Sequence, residues 1–189
     1  MKEAMQRIGR AKTSIDRGFS RLGPELKAQD DVARALMLLS CRSVAVSNAL
    51  MVLAQHNHAN EALPLLRSLL ELTVHMRWIA AADCAARARE FLKEHDRPQW
   101  DGLWAGRRLD ERCAELGFPA EARTKVQLWC REHLWGNAAG LPWAHVFTPP
   151  EPRDASGEAV LGAAAELMGQ AVAALGQRWP ERFPTDQVG

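Results

Sequence analysis

Residues 60–95 read NEALPLLRSLLELTVHMRWIAAADCAARAREFLKEH, and their periodicity decides the fold. At 100° per residue, Pro64, Arg67, Ser68, Glu71 and His75 fall on one arc of roughly 120°, and nearly all of the remaining turn is Leu, Val, Met, Trp, Ile or Ala. A helix apolar over so much of its circumference belongs inside a bundle, because every apolar flank left in water forfeits the free energy of burial.

The preceding stretch is equally apolar. Asp30 or Asp31 offers an N-cap for a long Ala-, Leu-, Val- and Met-rich helix ending near Gln55. His56-Asn57-His58-Ala59-Asn60 makes the connection, with Asn60 a cap for the next helix and Pro64 in its first turn. A connection this short makes the two most apolar helices an antiparallel hairpin, the expected core.

Outward from that hairpin, almost everything reads as helix. A first helix over 2–22 carries Met1, Met5, Ile8, Ile15, Phe19 and Leu22 on a heptad seam that only Lys12 interrupts. Its other faces set Lys2, Arg7, Arg10, Arg17 and Arg21 against Glu3 and Asp16, a solvated face over a packed seam rather than a basic membrane helix. Asp83 caps a helix to about Glu94, which Asp96-Arg97-Pro98 ends. Two more follow, over 98–116, closed by Gly117, and over 119–134, closed by Gly136; Ser156 opens the last, over 157–178. No stretch alternates as a strand does. The fold class is all-α: one domain over 1–189, an antiparallel helical bundle of about six to seven helices, with a long loop over 136–156 and a flexible tail over 180–189.

Composition narrows the function classes. The formal net charge is +1, so no overall field favours nucleic acid or an anionic membrane, although Arg outnumbers Lys 19 to 5. Cys41, Cys84, Cys113 and Cys130 form no C-x-x-C and stand at no zinc spacing, which suits buried thiols in a reducing cytoplasm. The most apolar segment, 32–53, is interrupted by Arg34, Arg42, Ser47 and Asn48, too polar for a membrane span of about 20 residues. No Gly-rich phosphate loop, G-x-S-x-G elbow or H-E-x-x-H stands in the chain, and His56 and His58, two apart on a turn, would need carboxylate partners for a metal that the sequence does not identify. We therefore expect no cofactor, no metal and no membrane.

The run EALPLLRSLLELTVHMRWIA resembles the signature helix of a bacterial all-α family, domain of unknown function 5677, in which an Arg-Ser-apolar-apolar-Glu element precedes an aromatic-containing apolar turn. Arg67, Ser68, Glu71 and Trp78 match that element. The resemblance extends over 43–147 and implies that His145, after Trp129 and Trp135, is the family's downstream histidine. It implies a fold and no particular reaction.

Candidate site residues follow from the polar arc and the long loop. Arg67 and Glu71, four apart, can pair on one helix face. With His75 they could instead line a pocket under the 136–156 loop, where Trp78, Trp143 and Phe147 would wall or cover it and His145 would face inward. A weaker pair, Arg89 and His95, has the Arg-to-His spacing of HEPN ribonucleases, in which an imidazole and a guanidinium activate a 2′-hydroxyl and stabilise the phosphorane. A Glu follows Arg89 where that pattern has Asn, Asp or His. Two functions remain. The first is an interaction or regulatory module, homo-oligomeric through apolar helix seams at either end of the chain. The alternative is a metal-independent ribonuclease acting on RNA, or a small-ligand-binding bundle, of a defence or toxin system.

Overall fold

A computed structural model describes residues 1–26, 30–95, 106–117 and 156–184. Among them are six α-helices and no strand: α1 (Lys2–Leu22), α2 (Asp31–Gln55), α3 (Ala59–Ala81), α4 (Cys84–His95), α5 (Gly106–Glu115) and α6 (Gly157–Arg178), with a 3-10 turn at Gly23–Glu25. The helix expected over 119–134 and residues 136–155, with Trp143, His145 and Phe147, lie outside the described residues, as do Cys130 and the side chain of His95.

Local chemistry sets the helix ends. The Asp30 carboxylate accepts from the Val32 and Ala33 amides, both at 3.0 Å, and Ser156 accepts from the Ala159 amide at 3.1 Å, so α2 and α6 each start on a side-chain cap. At the far end of α2, Asn57 adopts a left-handed conformation (φ 62°). The His58 amide then reaches the Leu53 carbonyl at 2.8 Å and the Asn57 amide the Ala54 carbonyl at 3.3 Å, the two bonds of a Schellman stop. Gly117, at φ 60°, follows α5.

That stop corrects one expectation. The chain re-enters helix immediately after His58, so α3 begins at Ala59, Asn60 sits inside its first turn rather than at the cap, and no side chain caps the start. Pro64 consequently falls in the second turn, where its missing N–H removes one intrahelical hydrogen bond.

Packing follows from the apolar surfaces. α2 and α3 form the hairpin, α6 lies against α1, α2 and α3, α4 rests on α2 and α3, and α5 on α3. One contiguous core draws on all six helices, with Leu36, Leu50, Leu63, Leu66, Leu69, Met76, Ile79, Leu161 and Met168 removed from solvent. α6 is therefore a third central helix beside the hairpin. The approach of α3 to α6 is close enough that the Thr73 hydroxyl, bonded to its own Leu69 carbonyl at 2.8 Å, also reaches the Leu167 carbonyl at 3.4 Å.

The N-terminal seam is consumed inside the bundle. Ile8, Ile15 and Leu22 are buried, and α1 packs mainly against α6. Nor does the chain leave the bundle at Pro180, where the tail was expected to begin. Turn bonds from the Arg182 and Phe183 amides to the Trp179 carbonyl, both at 3.0 Å, fold 180–184 back, and Phe183 is 0 % exposed. Its ring meets Phe19 edge-on at 5.1 Å and sits in a notch that exists because residue 18 is glycine: a Cβ there would lie 2.1 Å from the ring. Residues 185–189 lie outside the described residues.

Gly18→Ala should therefore destabilise the protein by about 1–3 kcal/mol through overpacking, measured by urea unfolding. Shrinking the ring in the Gly18→Ala, Phe183→Leu double variant should leave less loss than the two single changes sum to. Additive losses would mean that the ring does not depend on the notch.

Candidate functional site

The polar arc of α3 resolves into two levels. At the first, Arg67 Nε donates to Glu71 Oε1 at 3.1 Å, with 31 % and 15 % of the two side chains exposed. This is the i, i+4 pair that a helix face permits, and a half-buried setting weakens its screening by water.

At the second level, His75 stands 2.8 Å, Nδ1 to Nη1, from Arg112 of α5. A guanidinium only donates, so His75 Nδ1 accepts and the ring holds its proton on Nε2. Arg112 is 4 % exposed and lies over Trp78, its guanidinium carbon 4.0 Å from the ring centroid, with Glu90 of α4 at 3.7 Å. Phe91 of α4 flanks the His75 ring at 5.4 Å. A buried charge is tolerable on such terms: a stacked aromatic face, a hydrogen-bond acceptor and a carboxylate within reach.

Trp78 joins the three helices. Its indole N–H donates to Glu115 of α5 at 2.8 Å, and the same carboxylate oxygen accepts from Arg87 of α4 at 3.1 Å. Arg87 also donates to the Trp78 carbonyl at 2.6 Å and lies over its ring at 4.8 Å. The cluster of His75, Trp78, Arg87, Glu90, Arg112 and Glu115 thus ties the C-terminal half of α3 to α4 and α5.

The structure accordingly brings His75 and Trp78 into one cluster and pairs Arg67 with Glu71 beside it. Trp78 itself is 5 % exposed, and the loop expected to lie over it falls outside the described residues. Arg89 lies on the exposed face of α4 and bonds its own helix, Nε to the Ala85 carbonyl at 3.2 Å. Trp143, His145 and Phe147 fall outside the described residues.

Arg112 and Glu115 had escaped the sequence reading, yet Arg112 left a signal. Leu109, Arg112, Cys113 and Leu116 stand at i, i+3, i+4 and i+7, so Arg112 occupies the inward face of α5. A lone arginine on an apolar face needs a partner, and His75, Trp78 and Glu90 supply it. Among the described residues no three His, Cys, Asp or Glu side chains converge as a metal site would need. Cys41 and Cys84 are free thiols, and Cys113 is buried in the core.

Residues 33–126 match the model of DUF5677, a family of unknown function. The matched span opens within α2 and includes α3, α4 and α5, hence the whole polar cluster. No curated protein and no solved structure matches the chain.

If stacking and the guanidinium fork matter at Arg112, Arg112→Lys should cost about 1–3 kcal/mol in urea unfolding although the charge is kept. Arg67→Lys, which needs only charge at an i, i+4 pair, should cost about 0.5 kcal/mol or less. Equal losses would mean that the cluster is held by charge alone.

Proposed function

We propose, for a chain that belongs over residues 33–126 to the DUF5677 family, that it works as a helical interaction module whose partner is a second copy of itself, docked through the outer face of α2. The polar cluster on α3 binds the protein's own helices together. The apolar faces of α1 and α6 are used inside the bundle. On α2, by contrast, large apolar side chains face water: Met37 is 38 %, Leu38 51 % and Val52 55 % exposed.

The spacing of that face carries the reading. Leu38, Ala45 and Val52 repeat every seven residues, with exposed Cys41 and half-buried Ala49 between them. Laid antiparallel on itself about a two-fold axis at Ala45, the seam sets Leu38 against Val52 of the second copy and Cys41 against Ala49. Small side chains occupy the centre, where two helices approach closest, and larger ones the ends. Arg42 then faces Asn48 and Arg34 faces His56, so no arginine directly opposes another. A two-fold contact of this isologous kind is the commonest closed assembly.

Localisation belongs to the same proposal. Free thiols suit a reducing cytoplasm. α2 and α6 are long and apolar enough to cross a membrane by length and composition alone. Buried core helices meet the same criterion, and α6 is packed among α1, α2 and α3.

Sedimentation velocity should give a species of twice the 21.0 kDa chain mass at micromolar concentration. Leu38→Glu should convert it to monomer while leaving the helical content of the folded chain, read by circular dichroism, unchanged. In a Cys41→Ser, Cys130→Ser background, Ala45→Cys should oxidise to a disulfide-linked dimer, because only residues at the axis bring their Cα atoms within about 7 Å. Native Cys41 pairs would stand about 12 Å apart along the helices and should not cross-link. A wild-type monomer at 100 μM, an unchanged Leu38→Glu dimer, or flotation of the wild type with phosphatidylcholine vesicles would each overturn the proposal.

A further inference from the structure

The outer face of α2 is apolar along its middle and cationic around it. Arg34 and Arg42 are exposed there, about 20° and 60° around the helix from Ala45, and neither has a carboxylate partner among the described residues. From α1, Lys12 reaches the same face and donates to the Asn48 side-chain oxygen, a neutral partner that leaves its charge uncompensated. From Val32 to Gln55, α2 itself has no acidic residue. Resting on the two-fold contact through this face, we propose that dimerisation takes up small inorganic anions beside these cations, so that the dimer tightens as salt rises.

The register sets the repulsion that the anions relieve. With the axis at Ala45, Arg42 and its copy stand about 9 Å apart along the helices. Asn48 lies at the level of the second copy's Arg42, so each Lys12 is brought to the level of an arginine from the other protomer. Lys12, Arg34 and Arg42 of both copies thus gather around one seam. The Debye length is about 30 Å at 0.01 M salt and about 10 Å at 0.1 M. At low salt these charges repel one another across the whole contact, whereas at higher salt the anions drawn among them screen the repulsion and leave the apolar burial to act.

Neighbouring carboxylates do not cancel the charge. Asp30 is spent on the cap of α2, and Asp31, in the first turn, lies about 21 Å from Ala45 along the helix. Asp16, one turn along α1 from Lys12, forms no ion pair among the described residues. Glu25 is held by Arg182, and Glu90 of α4 lies 3.7 Å from Arg112. The sign of the salt effect follows from this imbalance. An interface held by ion pairs loosens as salt rises, and an apolar seam surrounded by cations does the reverse.

Sedimentation equilibrium of the full-length protein in 20, 100 and 300 mM sodium chloride measures the effect. The dimer association constant should rise about threefold or more across that range. The Arg34→Gln, Arg42→Gln double variant should dimerise more tightly than wild type at 20 mM and respond to salt less than half as steeply, with an unchanged circular dichroism spectrum. A wild-type dimer whose association constant is flat or falls with salt would overturn this inference and leave the two-fold contact standing. An equal rise in wild type and double variant would overturn it as well, since general salting-out of apolar surface acts on both alike. A wild type that stays monomeric at 100 μM in every salt would overturn the two-fold contact itself, and the anion uptake with it.

Discussion

A helix that is apolar around most of its circumference must be covered on most sides, and α3 imposes that requirement on the rest of the chain. α2 and α6 cover it along their lengths, α4 and α5 toward its C-terminal half. Leu63, Leu66, Leu69, Leu70, Val74, Met76 and Ile79 leave almost no surface in water. At about 25 cal/mol per Å² of apolar area, no arrangement that uncovers one of those flanks competes. The neighbours inherit the consequence. α2 must turn back sharply to stay beside α3, which the left-handed Asn57 achieves, and α6 must be small and apolar enough to lie between α1, α2 and α3.

Polar groups inside such a bundle are handled in two ways. Ser40, Ser43 and Ser47 of α2 are fully buried and return their hydroxyls to carbonyls of their own helix, at 2.7 to 2.9 Å. Satisfied locally, they occupy little space and let helices approach. Arg112 cannot be satisfied by its own helix and must be met from outside. The aromatic face of Trp78, His75 Nδ1 and the Glu90 carboxylate come from two other helices, so α5 has one seat on the bundle in which its charge is accommodated. Burial alone would permit several rotations of that helix; the arginine selects among them.

Much of the fold was legible because its signals are periodic or punctuated. The boundaries of α1 and α6 and the end of α2 follow from Gly23-Pro24, Ser156, Trp179-Pro180 and the 56–60 turn, and the apolar character of α3 identified the interior. The Asn60 cap misled because Asn57 and Asn60 are both turn formers; which one acts depends on the two Schellman bonds, a three-dimensional matter. The partners of His75 were hidden for a related reason. They lie far along the chain on α4 and α5, and no spacing rule links a residue of α3 to Arg112.

The contact between Gly18 and Phe183 joins segments separated by most of the chain. Loop-closure entropy favours near neighbours first, so the α2–α3 hairpin can form as soon as its own residues are available. The closure of α1 cannot: the ring that fills the Gly18 notch does not exist until the residues around Phe183 have been synthesised and have folded back. On the ribosome, then, an incomplete chain would leave the Gly18 notch of α1 unfilled, and the order of synthesis itself delays that closure until the residues after α6 have emerged.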